Sequence, residues 1–454
     1  MIPSLATVVA SEHHTATWSV VPFVTYLLLM AVLPLVVGRF WESNRNKLVL
    51  ALIAGAPVVV YLVALRPGGG AQLVQTAADY FSFIALLTAL FTISGGICLR
   101  GTLAGSTRVN TAILGAGALL ASVVGTTGAS ALFIRPLLRA NRGRRRATHL
   151  VVFFIFIVSN AAGLLTPLGD PPLFLGFLRG VPFTWTLRLV PTWLLVNGAL
   201  LLLFVAFDRV AYFRERRGEH PRERSPVETA PPEKLRVDGR INILWLVGVI
   251  GVVLAAGTVG VVMIPSAHTR SLVQGLAMLA LTGASWKTTS REVRQANHFS
   301  WAPIVEVAVV FLGVFVTMVP ALSYLEERGA SLGLTEPWQF FWVSGALSSV
   351  LDNAPTYLTF ASVATGLVDG GQGLLSADDL GGLAAHLTGQ HLLAAVSTGA
   401  VLMGALTYIG NGPNFMVKAI AEQQRVRMPS FFGYTLWSGA ILLPLFLLVS
   451  YLMF

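Results

Sequence analysis

Apolar residues in this chain fall into runs of about 20, separated by short polar loops. A helix of roughly 20 residues spans the ~30 Å hydrocarbon core of a bilayer. The pattern therefore predicts an all-α polytopic membrane protein. Its ten predicted spans lie near Trp18–Val37, Leu48–Leu65, Tyr80–Cys98, His149–Leu168, Phe183–Phe207, Ile241–Ile264, Leu272–Trp286, Trp301–Val319, His391–Ile409 and Phe431–Phe454.

Two longer apolar stretches, Thr111–Leu138 and Trp338–Leu367, each contain polar residues near the middle. Each stretch is long enough to enter and leave the membrane on the same side. We therefore predict that both are re-entrant helical hairpins, a fold tolerated where the turn is buried in protein. The polar segments Gly125–Ser130 and Ser348–Thr356 would form the hairpin tips.

Composition and charge support the membrane class. Apolar residues make up 55% of the chain and charged residues 11%, whereas a soluble domain has about 25% charged residues. The formal net charge of +10 would suit nucleic acid only on a folded soluble surface. Here the basic residues lie in short loops, so we predict no nucleic-acid partner. The only cysteine, Cys98, excludes an internal disulfide.

The basic loops also predict an orientation. With both termini outside, 26 of the 31 Lys and Arg residues fall on the cytoplasmic side, as the positive-inside rule requires. The chain is thus predicted to be a multi-pass protein of a bacterial-type inner (plasma) membrane.

A charged segment divides the chain into two transmembrane parts. Residues 208–240 are rich in Pro, Glu and Arg and are predicted to form a cytoplasmic linker. The parts on either side, 1–207 and 241–454, each contain five predicted spans and one hairpin. Because five is odd, the second part must enter the membrane from the opposite side. The two parts are therefore predicted to be inverted repeats, as in many secondary transporters.

A matched motif supports the repeat. Leu165–Phe174 aligns without gaps to Leu406–Phe415, with the shared pattern Leu-Thr-x-[Leu/Ile]-Gly-[Asp/Asn]-x-Pro-x-Phe. Gly and Pro predict broken helices at the bilayer midplane, which are tolerated where they are buried in protein or line a cavity. Freed carbonyls with Thr and Asn side chains suit Na⁺. A kink that serves only packing is the alternative.

Three acidic residues are predicted to lie within the membrane: Asp170, Glu306 and Asp352. An intramembrane carboxylate is by default a proton or cation site. Asp352 is the leading candidate, because it lies at a hairpin tip. Asp170 matches Asn411 in the repeat, so one half offers a charge and the other a neutral ligand. For Glu306, a helix-packing role near the membrane interface is an equal alternative.

These motifs resemble those of the ion transporter superfamily. The segment from Ser348 to Pro355, Ser-Ser-Val-Leu-Asp-Asn-Ala-Pro, resembles the second-hairpin motif of D-type sodium:proton antiporters. The segment from Asn160 to Asp170 is similar to their Asn-x-Gly-Gly-x-x-x-Pro-Ile-Gly-Asp pattern. The superfamily also includes citrate-type carriers, divalent-anion symporters and arsenite carriers.

The resemblance implies ion ligands at both hairpin tips and both broken helices, with elevator-like movement of that unit. The predicted ion-binding residues are Thr126, Thr127, Ser130, Ser159, Asn160, Thr166, Asp170, Ser349, Asp352, Asn353, Thr356, Thr407, Asn411 and Asn414. Na⁺ is assigned to Asn160, Thr166, Asp352, Asn353, Thr407 and Asn411, and proton coupling to Asp352, Asp170 and Glu306. Na⁺ and H⁺ are the expected coupling ions, with no other cofactor.

Several functions remain open. Sodium:proton antiport leads, because few basic residues lie at the predicted sites and an organic trianion needs Arg, Lys or several helix N-termini. A citrate-type or other carboxylate carrier is the alternative, followed by an arsenite carrier. The first tip has Thr126-Thr127-Gly128 where the antiporters have an Asp-Asn pair, which leaves the stoichiometry open. An intramembrane aspartyl protease is disfavoured, because Pro167-Leu-Gly-Asp170 lacks the first Gly of Gly-x-Gly-Asp. The expected partners are the bilayer, monovalent cations and protons, and a homodimer would suit an elevator.

Overall fold

The computed structural model describes residues 15–41, 43–101, 105–218, 236–264, 266–297, 299–370, 372, 374–376 and 379–454. Before the linker the helices are α1 (Val21–Val36), α2 (Gly38–Trp41), α3 (Asn44–Val60), α4 (Gly69–Ser94), α5 (Thr107–Val124), α6 (Thr126–Ala140), α7 (Thr148–Ile157), α8 (Pro171–Leu178) and α9 (Val190–Gly218). After it come α10 (Ile241–Gly257), α11 (Val259–Met263), α12 (Ala267–Thr288), α13 (Arg291–Ala296), α14 (Ala302–Arg328), α15 (Pro337–Ser348), α16 (Asn353–Asp369), α17 (Gly381–Ala385), α18 (Leu387–Met403), α19 (Gly412–Gln423) and α20 (Phe431–Met453).

Short turns of other helix types adjoin these elements. A π-helix, Tyr61–Leu65, extends α3. The 3₁₀ segments are Thr17–Val20, Ala161–Leu165, Phe183–Leu189, Gly329–Leu332 and Gly404–Leu406.

The structure confirms the prediction of an all-α polytopic membrane protein. Across the described ranges, nine helical segments are long and apolar enough to cross a bilayer. They are Thr17–Pro34, Asn44–Leu65, Gly69–Ser94, Thr107–Val124, Thr148–Leu165, Phe183–Arg214, Ala302–Arg328, Leu387–Leu406 and Phe431–Met453. Helix α10 is apolar but shorter, and α12 covers the remaining predicted span without reaching the same hydropathy.

The helices pack into two groups. The scaffold bundle contains α1, α3, α4, α10, α12 and α14, in which α4 packs on α12 and α3 packs on α14. The site bundle contains α5 to α9 and α15 to α20. Contacts of α14 with α16, and of α4 with α6, join the two bundles. Each bundle therefore contains helices from both sides of the linker.

Both predicted hairpins are pairs of packed helices with the turn at the expected residues. Helices α5 and α6 meet at Gly125, whose φ of 81° favours glycine because a Cβ would clash there. Between α15 and α16, the Asp352 carboxylate accepts a hydrogen bond from the Ala354 N–H at 3.1 Å and caps α16. The side of the membrane on which each hairpin opens stays a prediction.

The ends of the predicted linker are ordered. Helix α9 continues past Phe207 to Gly218, and the short strand β2 (Arg236–Asp238) pairs antiparallel with β1 (Cys98–Arg100). The remainder of the linker, 219–235, lies outside the described residues. The strand pair attaches the end of the linker to the loop that follows α4.

Candidate functional site

Two interruptions of helical structure, here called breaks, lie in the site bundle at 166–170 and at 407–411. In each break a 3₁₀ segment is followed by extended backbone, with φ of −139° at Thr166 and −132° at Thr407. Asp170 and Asn411 are then the N-cap residues of α8 and α19. Proline in the first turn of each new helix fits because that position needs no N–H donor. The motif therefore gives the same backbone conformation twice.

The motif glycines lie where the chain folds back on itself. A Cβ on Gly169 would lie 2.4 Å from the Gly163 carbonyl oxygen, and one on Gly410 would lie 2.6 Å from that of Gly404. Both distances are too short for any side chain. Glycine at these positions therefore allows the extended segment of each break to contact the preceding 3₁₀ segment.

The buried carboxylate of Asp170 is the centre of the site. Asp170 is 2% exposed and accepts hydrogen bonds from Thr126 Oγ1 at 2.9 Å and from Asn411 Nδ2 at 3.4 Å. The Nδ2 of Asn353 donates to its other oxygen. These three donors stand at the starts of α6, α19 and α16, and Asp170 itself begins α8. Both hairpin tips and both breaks thus meet at one carboxylate, 241 positions from Asn411.

A chain of amides extends from this carboxylate. Asn411 Nδ2 also lies 3.2 Å from Asn160 Oδ1, and Asn160 Nδ2 donates to Asn414 Oδ1 at 2.7 Å. Asn414 in turn donates to the carbonyls of Thr407 at 3.0 Å and Gly404 at 2.9 Å. Asn160 and Asn411 also donate to the backbone carbonyls of Ile155 and Ser159. Because carbonyl oxygens only accept hydrogen bonds, these contacts set the orientation of each amide in this arrangement.

Side chains of α9 and α20 hold the two 3₁₀ segments. Trp193 Nε1 donates to the Ala162 carbonyl at 3.1 Å, and the Tyr434 hydroxyl donates to the Ala405 carbonyl at 2.8 Å. These carbonyls are freed from helical bonding and would be costly if left unpaired in a membrane. They are therefore satisfied by protein donors.

Other predicted site residues make local contacts. Across the described part of the chain, their hydroxyls bond to one another or to carbonyls rather than to Asp170. Thr166 donates to the Ser122 carbonyl, Thr407 to that of Ser349 at 2.5 Å, Thr356 to that of Asp352 at 2.9 Å and Ser349 to that of Ala346 at 2.7 Å, while Ser130 and Ser159 bond to each other at 2.8 Å. Thr127 lines a cavity beside Asp170.

Asp352 lies at the edge of the site. It is half-buried, and its carboxylate caps α16 without a hydrogen bond to Asp170 among the described residues. The sequence ranked Asp352 first, whereas the geometry places Asp170 at the centre. The coupling role of each carboxylate stays a prediction.

A family model described as "Putative citrate transport" matches residues 12–454. The chain belongs to this family, CitMHS_2. The match confirms the predicted resemblance to citrate-type ion transporters over nearly the whole chain. It also agrees with the expectation that the chain is a transporter. No curated protein matches the chain.

Two cavities of this CitMHS_2 member lie at the seam between its bundles. One, of about 60 Å³, is lined by Thr127 and Asp170 on the site bundle and by Leu90 and Ile304 on the scaffold bundle. It has room for a cation with one or two water molecules. The other, of about 320 Å³, lies between α6, α19 and the end of α4. The Asp170 site therefore borders the surface along which the bundles meet.

Glu306 lies apart from the Asp170 cluster. Its carboxylate pairs with the Lys47 ammonium, which is 2% exposed and also lies 5.1 Å from the Trp41 ring centroid. The pair joins α14 to α3 within the scaffold bundle. This contact fits the helix-packing alternative better than proton coupling.

Glu306→Gln is therefore expected to retain the transport activity of the native chain. We expect a loss of only about 1 kcal/mol of stability, because the carboxylate is half-exposed and the ammonium keeps its contact with Trp41. Flux in proteoliposomes and thermal unfolding in detergent measure the two quantities. Loss of flux with an unchanged unfolding temperature would instead indicate that Glu306 takes part in proton coupling.

The sequence missed the buried carboxylates of Asp79 and Asp208. Hydropathy started the third span at Tyr80, but α4 begins at Gly69 and includes Asp79, which is 9% exposed. Asp79 accepts hydrogen bonds from Gln75 Nε2 at 2.8 Å and Ser271 Oγ at 2.9 Å. Polar residues lower the hydropathy of this turn, yet the helix continues because α12 supplies a partner. Hydropathy therefore did not identify Asp79 as a buried acid.

Proposed function

We propose that the chain is a secondary transporter that exchanges Na⁺ for protons at the Asp170 site. The observation that carries the proposal is a buried carboxylate at which two hairpin tips and two broken helices meet. No Lys or Arg side chain among the described residues donates to it. A carboxylate without a basic partner binds a cation or a proton more readily than an anion.

Neutralisation of the Asp170 charge explains why Na⁺ and a proton would be exchanged. Moving an ionised carboxylate through a low-dielectric region is costly unless its charge is compensated. A bound Na⁺ or a proton on Asp170 supplies that compensation, and the two compete for the same oxygens. Each transition between the two access states then carries either Na⁺ or a proton, which is antiport.

The surrounding amides can serve both states. The Oδ1 of Asn353 is buried, and it has no hydrogen-bond partner in the part of the chain that the structure describes. It lies on the amide that contacts Asp170, so it is a suitable additional oxygen ligand for Na⁺. Rotation of the Asn411 amide would bring a second oxygen toward the ion, because Asn carries a donor and an acceptor.

The two bundles supply a route for alternating access. We propose that the site bundle moves as a unit against the scaffold bundle in an elevator-type cycle. Support comes from the cavities along their seam and from the placement of all four converging helix starts on the site bundle.

Proteoliposomes containing a pH-sensitive dye test the proposal. Addition of NaCl to vesicles with an acidic interior should release protons, with Li⁺ and K⁺ tested in parallel and protein-free vesicles as the blank. Absence of any cation-driven proton movement in correctly reconstituted protein would overturn sodium:proton exchange.

Cation-coupled citrate transport is the second candidate. Family membership favours it, and so does the meeting of four helix N-termini, whose partial positive charge attracts carboxylates. Uptake of labelled citrate into the same vesicles, with and without Na⁺, separates the two functions. Citrate uptake without proton release by Na⁺ alone would select the carrier.

The predicted orientation has its own test. On a Cys98→Ser background, Arg142→Cys should be labelled only from the cytoplasmic side, and Ser331→Cys only from outside. Cys98 is the only cysteine and is buried, so its removal leaves a clean background. Labelling of both positions from one side of intact cells would contradict the predicted topology and the inverted repeat.

A further inference from the structure

A cleft of about 600 Å³ lies between the α6–α7 loop and the α19–α20 loop, away from the Asp170 site. Its volume is typical of small-molecule pockets. No carboxylate is among its described lining residues. We name it the basic cleft, after the five arginine residues that line it: Arg142, Arg144, Arg145, Arg425 and Arg427.

The two walls of the basic cleft are attached to each other and to helices α7 and α9. Thr148 Oγ1 donates to the Arg427 carbonyl at 2.8 Å, which joins the two loops. Arg144 Nη1 lies 2.5 Å from Asp208 Oδ1, and the same oxygen lies 2.8 Å from His149 Nε2. Because Asp208 is fully buried, this anchor fixes one guanidinium in place. The cleft is thus preorganised.

Arg425 stands where glycine would be the natural residue. It follows α19 with a φ of 64°, the only positive φ at a non-glycine residue in the described ranges. The Val426 N–H bonds back to the Ala421 carbonyl at 3.0 Å, as in helix ends that favour glycine at the preceding position. Arg425 thus has a backbone conformation that disfavours any residue other than glycine, and its side chain lines the cleft.

Ordinary structural effects explain only part of this arrangement. Basic residues are favourable at helix C-termini and in cytoplasmic loops. Those effects do not require arginines from two distant segments to line one cavity without a lining carboxylate. The guanidinium fork matches phosphate oxygens through paired hydrogen bonds, and a single phosphate is too small to engage both walls.

We propose that the basic cleft binds a ligand with two or more phosphate groups, either a soluble polyphosphate or a phospholipid headgroup. This binding goes beyond the transport function and does not depend on it. Helices α6 and α19 pack on each other and run from the cleft walls to Thr126 and Asn411, which both contact Asp170. A ligand that bridges the two walls therefore binds at the C-terminal ends of α6 and α19, whose other ends contact Asp170.

Binding of inorganic tripolyphosphate to the full chain tests the proposal. The protein is placed in phosphatidylcholine nanodiscs, and titration calorimetry measures affinity. Arg425→Gly should weaken binding by at least about tenfold, since it removes charge-assisted hydrogen bonds. The same variant should not lower the unfolding temperature, because glycine suits a φ of 64°. Arg142→Gln on the facing wall should weaken binding similarly.

Two controls separate this site from other effects. Arg291→Ala removes an exposed arginine elsewhere and should leave the affinity within about twofold. Asp170→Asn should also bind tripolyphosphate normally, so failure of the transport proposal would not affect the result. Unchanged affinity in both Arg425→Gly and Arg142→Gln would overturn the site.

A second arm identifies the source of the phosphate. Nanodiscs with one-fifth cardiolipin, whose headgroup carries two phosphates, and without soluble phosphate, should raise the unfolding temperature of the native chain more than that of Arg425→Gly if a lipid is the ligand. An effect only with tripolyphosphate indicates a soluble ligand, and an effect only with cardiolipin indicates a lipid. If both the tripolyphosphate and the lipid affect the native chain and Arg425→Gly equally, the proposal is contradicted.

Discussion

Asp170→Asn is expected to abolish sodium-driven proton movement in proteoliposomes while the chain remains folded. The amide has nearly the same shape as the carboxylate, but it carries no charge and cannot exchange a proton. We expect the initial rate to fall by about 100-fold or more, which corresponds to roughly 3 kcal/mol. The dye assay measures the rate, and size-exclusion profiles with thermal unfolding report on the fold.

Asp79→Asn is the matched control for this variant. It removes another buried carboxylate from a membrane helix, but Asp79 lies in the scaffold bundle and contacts Gln75 and Ser271 rather than the site. We expect it to keep most of the flux. If both variants lost flux equally, a general requirement for buried charge would explain the result better than a site at Asp170.

Exchanging the carboxylate and the amide across the repeat is expected to restore part of the activity. Asp170→Asn and Asn411→Asp should each be inactive, since one removes the charge and the other puts two carboxylates in contact. The double variant keeps one carboxylate and one amide in the same cluster. Because contacting residues couple by about 0.5–3 kcal/mol, its cation affinity should differ from the sum of the single effects.

A double-mutant cycle on Na⁺ affinity measures this coupling. Asp170→Asn combined with Ser349→Ala is the comparison pair, because the Ser349 hydroxyl bonds to Ala346 and not to the cluster. Strict additivity in the Asp170–Asn411 pair would falsify a shared site and leave the repeat as a feature of packing.

The elements of the fold could be predicted because their signals are local. The length of an apolar run identifies a span, and the glycine at Gly125 and the Asp352-Asn353-Ala354-Pro355 sequence identify the hairpin turns. The aligned breaks were found in the same way, from Pro and Gly spacing. These features depend on residues within about one helical turn, so a single sequence reveals them.

Contacts between distant segments could not be derived in the same way. No local signal shows that Asn353 donates to Asp170, or that Lys47 lies opposite Glu306. Hydropathy also misplaced the start of α4, because it averages over residues and ignores a partner on another helix. The sequence therefore named Thr126, Asn353 and Asn411, which contact Asp170, but could not rank Asp170 above Asp352.

The mixed membership of the two bundles has a consequence for biosynthesis. Helix α4 leaves the ribosome long before α12, yet Ser271 of α12 is a partner of the buried Asp79. Until the second half is inserted, this carboxylate must be shielded by water, lipid headgroups or an insertion factor. Chains truncated before α12 should therefore be unstable in the membrane and become targets for quality-control proteases, whereas the completed chain assembles both bundles at once.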